Sequence, residues 1–161
     1  MLLRRLVFSF VALCVFTTIQ AQRSSVIYAE GLGNGLIYSV NFDTRILNRP
    51  DGPGIRLGGN ILKAGGGNFV TFIPMQVNYV FGTKHGLELG AGMTFSRQKE
   101  NGTPAETYLF ANASVMYRYQ APKGFNFRIG WAPIFAPEEV GSLFSTKWFW
   151  LFPGVSVGYR F

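Results

Sequence analysis

Cysteine is almost missing from this chain. Cys14 is the single one, so residues 22–161 hold none. That excludes a disulfide framework, a thiolate metal site and a cysteine nucleophile in that region. Histidine is as scarce: His85 stands alone, too few for a His-rich zinc site. Charge is thin, at 14% of residues, well below the roughly 25% of soluble domains. The basic residues are scattered, and no basic run reads as a nucleic-acid patch. No apolar run reaches the roughly 20 residues a membrane-spanning helix needs. After Gln22 no segment keeps a 3.6-residue apolar period. The glycine-rich "GLGNG" and "KAGGGN" lack a following Lys-Ser/Thr, so they read as turns and not as phosphate loops.

What is present is aromatic and glycine-rich: 20 glycines, 16 phenylalanines and 16% aromatics in 161 residues. Such a mixture suits extended, twisted strands. The first stretch stands apart. Arg4 and Arg5 precede an apolar run from Leu6 to Phe16, and small Ala21 precedes Gln22. This is the pattern of a secretory signal peptide over residues 1–21, leaving 22–161 as one domain. A lipoprotein reading would acylate Cys14, but Leu13 stands where a small residue is expected. Removing Arg4 and Arg5 takes the formal charge from +7 to +5.

The remainder alternates with period 2 in eight segments. The first, Val26–Gly33, is the weakest. In the second, Leu36, Tyr38, Val40 and Phe42 oppose Ser39, Asn41, Asp43 and Arg45. Segments around Ile55–Ile61, Ile73–Phe81, Leu87–Phe95, Leu109–Tyr119, Phe125–Phe135 and Pro153–Phe161 follow the same rule. Tight turns fall at Leu47–Pro53, Thr83–Gly86 and Ala121–Gly124. Longer polar loops fall at Arg97–Glu106 and Ala136–Lys147, on the opposite side, with the short Ala64–Asn68. Gly33–Gly35 reads as a tight turn joining segments one and two. Short turns on one side and longer loops on the other predict an all-β, eight-stranded antiparallel transmembrane β-barrel, an up-and-down meander.

The apolar faces carry Tyr79, Phe81, Tyr117, Tyr119, Phe125, Phe127, Tyr159 and Phe161 near strand ends, as membrane interfaces favour. A soluble lipocalin-like barrel would leave these faces in water. On the other face Asp43, Arg56, Glu88, Arg118, Arg128 and Arg160 lie close to their short turns, predicting one charged layer inside the periplasmic mouth. Gly58, Gly90, Gly130 and Gly158 sit two positions further in and leave room for long side chains. An eight-stranded barrel is just wide enough for its side chains to fill. The layer is therefore expected to be an ion-paired plug, with an anion-attracting constriction as the alternative.

Other motifs carry less. His85 in "TKHG" is a turn residue on the periplasmic side, away from where a lipid-A-modifying barrel enzyme would work. Glu100, Glu106, Glu138 and Glu139 read as solvated loop acids and not as a cation site. Asn101–Thr103 and Asn112–Ser114 fit a glycosylation pattern in form alone. Phe144, Trp148, Phe149 and Trp150 read as an outer interfacial belt.

The phrases "GNGLIYSVNFDTR", "FIPMQVNYVFGTKHGLELGAG", "YRYQAPKGFNFRIGWAP" and "PGVSVGYRF" resemble small outer-membrane β-barrel proteins of the Bacteroidota type, whose functions are mostly unassigned. By that resemblance Val155, Val157, Tyr159 and Phe161 are similar to the terminal signal read by the barrel-assembly machinery. The expectation is an integral outer-membrane protein of a Gram-negative cell, exported by the Sec route. Its role is structural or surface-interacting, without enzymatic activity, cofactor or metal. Its partners are outer-membrane lipids and lipopolysaccharide, with no nucleic acid, and it is monomeric. A small lipid-A-modifying or lipid-handling enzyme and a narrow anion-preferring pore are the alternatives.

Overall fold

The computed structural model describes residues 24–63, 66–99, 101–135 and 151–161. The expected signal peptide at 1–21, residues 136–150 with Glu138, Glu139, Phe144, Trp148, Phe149 and Trp150, and Glu100 lie outside the described residues. Among the described residues nine strands form one sheet: β1 (Ser25–Leu32), β2 (Tyr38–Arg45), β3 (Gly52–Lys63), β4 (Phe69–Phe81), β5 (His85–Lys99), β6 (Glu106–Gln120), β7 (Phe125–Trp131), β8 (Ile134–Phe135) and β9 (Pro153–Arg160). β7 and β8 pair with β6 in one register and are parted at Ala132–Pro133, where proline has no N–H to give the ladder. They make one wall, so the barrel has eight. Every pairing is antiparallel between sequence neighbours, and β9 closes the cylinder on β1. The seam extends to Phe161, whose N–H donates to Ser25 O at 2.9 Å while Ser25 N–H donates back at 3.2 Å. Closure removes the open edge that lipid cannot satisfy. No helix among the described residues is long and apolar enough to cross a membrane, and the crossing is made by strands.

The strand pleat sorts side chains as the alternation predicts. Ile55, Val77, Leu87, Ile129 and Val157 point outward, and Val77 is 65% exposed. Asn41, Asp43, Arg56, Gln76, Glu88, Arg118 and Arg128 point inward and are buried. The apolar exterior and polar interior invert a soluble protein and define a transmembrane barrel.

Two expectations need correction. Leu36 does not stand on the outer face with Tyr38 and Val40. It is buried, at φ +66°. Gly33–Gly35 is not a plain hairpin turn but one turn of 3₁₀ helix folded into the lumen, with Gly33, Asn34 and Gly35 all buried. A glycine is required at Gly33, where φ is +73° and a Cβ would press on the Glu30 carboxylate. The second correction concerns the interior. Its outer third is apolar: Leu36, Val70, Phe72, Phe110 and Ile134 pack together there, with Leu62, Tyr108 and Phe152 against them.

Candidate functional site: the charged lumen

The half of the lumen nearest the short turns holds a network contributed by β1 to β7. Arg118 Nη1 donates to Asp43 Oδ2 at 2.7 Å and to Glu88 Oε2 at 2.8 Å. Arg128 grips the same two acids, Nη2 to Asp43 Oδ2 at 2.9 Å and Nη1 to Glu88 Oε1 at 3.0 Å. Two guanidiniums thus bridge two carboxylates in a closed square. Arg45, in contact with Asp43 Oδ1, adds a third cation and also donates to Asn78 Oδ1 at 2.6 Å and Gly52 O at 2.9 Å. All five side chains are at most 1% exposed. Charges so buried are tolerable when paired and further hydrogen-bonded, as these are.

One step further in, Arg56 pairs with Glu30 and donates to Asn41 Oδ1 at 3.2 Å and Gln76 Oε1 at 3.3 Å. The Tyr28 ring lies between the two tiers, with the Arg128 guanidinium carbon 3.8 Å and that of Arg56 5.4 Å from its centroid. The ring face attracts both cations. Inward glycines make the space. A Cβ at Gly158 would strike Tyr28, one at Gly54 would strike the Arg45 guanidinium, and one at Gly58 the Asn41 amide.

Above the charges, Asn34 crosses the lumen. Its Nδ2 donates to the carbonyls of Ala113 and Ala132 at 3.2 Å, and its Oδ1 accepts from Gln76 Nε2 at 2.7 Å. Thr94 Oγ1 donates to Asn34 O at 3.1 Å, and Asn112 Nδ2 to Thr94 Oγ1 at 2.8 Å. The inserted turn therefore caps the polar section and carries Leu36 into the apolar one.

Asp43, Glu88, Arg118 and Arg128 of the expected layer are brought together. Arg56 sits in the next tier. Arg160 does not join: it is half-buried at the rim, and Nη2 donates to Ala121 O at 3.4 Å, with no ion pair to a described residue. It comes after the last inward glycine of β9, level with the turns, so water reaches it. Arg45 and Glu30 were missed. Arg45 stands on the polar face of its segment, two positions from Asp43, and that spacing was a usable signal. Glu30 lies on the weakest segment, and nothing local marks it as the Arg56 partner, since 26 positions separate them. His85 sits on the outer face at the short-turn rim, its Nδ1 2.7 Å from Tyr117 Oη, beside the Tyr119 ring. No cluster of metal-ligating residues occurs among the described residues. Glu106 accepts from Tyr108 Oη and stands by no other carboxylate in such a group.

The Tyr28 hydroxyl has no hydrogen-bond partner among the described residues. The ring does the bridging, so Tyr28→Phe is expected to leave stability unchanged or raise it by up to about 1 kcal/mol. A Tyr28→Phe urea midpoint well below the parent's, in lipid vesicles, would show that the hydroxyl matters.

Two solved structures align with the chain. The N-terminal β-barrel domain of Pseudomonas aeruginosa OprF aligns with a TM-score of 0.57 at 12% identity, covering 87% of this chain and 98% of that one. Ail, the attachment invasion locus protein of Yersinia pestis, solved with the heparin analogue sucrose octasulfate, aligns with a TM-score of 0.43 at 12% identity over 86% of this chain and 97% of that one. At such identity the likeness concerns the fold, and the OprF domain carries it. No protein-family model and no curated protein sequence matches the chain. The Bacteroidota affiliation finds no support in these comparisons. The fold, with its apolar face outward, is that of the eight-stranded outer-membrane β-barrels.

Proposed function

We propose that this chain is an integral outer-membrane protein without enzymatic activity, a sealed barrel with a structural or surface-interaction role. The single observation carrying this is the filled lumen. Both acids of the lower tier are held by Arg118 and Arg128, and the Gly33–Leu36 segment closes the passage above them. An anion-preferring pore needs cations facing water, and these arginines are committed to carboxylates. A lipid-modifying enzyme needs a base near its substrate's ester or phosphate, and His85 faces away from the lumen with a tyrosine as its neighbour. In this reading residues 1–21 are the export signal, the mature barrel is a monomer in contact with membrane lipid, and Val155, Val157, Tyr159 and Phe161 are the row the assembly machinery reads. Val155, Val157 and Tyr159 lie on the outward face of β9 and Phe161 follows its end, all exposed.

The test is planar-bilayer recording of the refolded barrel. No resolved conductance is expected from the parent protein. A steady conductance in the parent that falls in Arg118→Gln/Arg128→Gln would overturn the sealed reading in favour of the pore. Lipid A from a strain lacking the protein is expected to match the parent strain's, and an altered acylation pattern would restore the enzyme reading.

A further inference from the structure

The outward face of β3, β4 and β5 changes character abruptly at its outer end. On β5 the outward residues from Leu87 to Phe95 are all apolar, a run of nine residues. On β3 the run from Pro53 to Ile61 is again nine residues, with Gly59 at its fourth outward position. Nine is the length of one tilted crossing, about 9–11 residues. The next outward residues are Arg97 and Lys99 on β5 and Lys63 on β3. Register places them together. Lys63 and Lys99 flank Phe69 from either side, and Arg97 stands between Thr71 and Thr107. All three cations are exposed, and none forms an ion pair with a described residue. Among the described residues the opposite wall has no such cations: Leu32 of β1 and Leu151, just before β9, stand exposed at its outer end.

Further down the same wall, the three strands form an apolar groove of about 430 Å³, walled by Ile55, Leu57, Met75, Val77, Ala91 and Met93. Small Ala91 between Leu89 and Met93 makes the depression. The row Leu57–Met75–Met93 lies four residues below the row Ile61–Thr71–Arg97. That is about 13 Å along the strand, a distance an acyl chain spans with ease.

We propose that Lys63, Arg97 and Lys99, with the groove beneath them, form a binding site for one phosphate-bearing, acylated glycolipid of the outer leaflet, lipid A in chemical class. The phosphates sit on the cations at the interface, and one acyl chain lies in the groove. Three exposed cations without an ion pair among the described residues, held at the level of the outer headgroups, complement an anionic headgroup. The proposal rests on the outer-membrane reading above, with the long loops facing outward.

The experiment uses the mature chain folded in neutral detergent and titrated with bisphosphorylated lipid A, with bound lipid counted by native mass spectrometry. Heat-modifiable migration reports folding in the same samples. One saturable adduct is expected. Lys63→Gln/Arg97→Gln/Lys99→Gln should weaken it by about a hundredfold, or about fivefold per charge. Dephosphorylated lipid A should bind the parent as weakly, and Ala91→Trp, which fills the groove, should weaken binding with the cations intact. Inorganic phosphate at millimolar concentration should not compete. A folded triple variant that binds as the parent does overturns the proposal alone. So does full competition by inorganic phosphate, or equal binding of phosphatidylglycerol. A parent chain with no heat-modifiable band overturns the barrel reading and this proposal with it.

Discussion

Asp43→Ala is expected to lower the unfolding free energy of the barrel by about 3–5 kcal/mol, the cost of leaving buried charge without its partner. Asp43 is where three cations converge: Arg45, Arg118 and Arg128 all bond its carboxylate. Without it, Glu88 is left to neutralise Arg118 and Arg128, and Arg45 keeps only neutral acceptors. The arginines cannot escape by deprotonation, and the closed wall gives them no path to water. Urea unfolding in lipid vesicles measures this. The control is Asp51→Ala, which breaks an exposed pair with Arg49 at 3.2 Å and should cost well under about 1 kcal/mol. If the two variants unfold together, the lumen network does not hold the fold.

Gly158→Val tests the closing seam. Gly158 faces Tyr28 across the β1–β9 ladder. A Cβ there would collide with the Ile27 carbonyl and with Tyr28 Cα and Cβ. Overpacking among movable side chains costs about 1–3 kcal/mol. Here the obstacle is backbone, so the seam itself must part, and Tyr28 must leave the Arg56 and Arg128 guanidiniums it bridges. The variant is expected to lose its heat-modifiable band. Gly31→Ala is the comparison, because a Cβ there meets Val155 Cγ1 at an ordinary 3.7 Å. A Gly158→Val protein that folds as well as Gly31→Ala would show that the seam tolerates a side chain.

The barrel was legible because its signal is local. Alternation with period 2 is written into each strand, and it sorts Met93 outward from Thr94 inward without knowledge of any neighbour. Turn chemistry is local too, so Gly82 and Gly124 mark short connections at φ +103° and +92°. Leu36 was misplaced for the same reason. Its segment continues the apolar alternation of β2, but the chain bends inward at Leu32 and Leu36, both at positive φ. What draws it in is a pocket built by Val70, Phe72, Phe110 and Ile134 from three other strands.

Residue order alone told which side chains line the interior, since a pleated strand has two faces and their composition differs. It did not tell which charge meets which. Asp43 and Arg128 lie 85 positions apart on β2 and β7, and they touch across the lumen only once the wall has curved and closed. Arg160 has the right type and the right face, yet stays outside the network because strand tilt and stagger leave it at the rim. The same geometry gathers Lys63, Arg97 and Lys99 into one patch. Alternation is a property of a single strand, whereas pairing across a lumen or along a wall depends on register, stagger and closure, which belong to the whole cylinder.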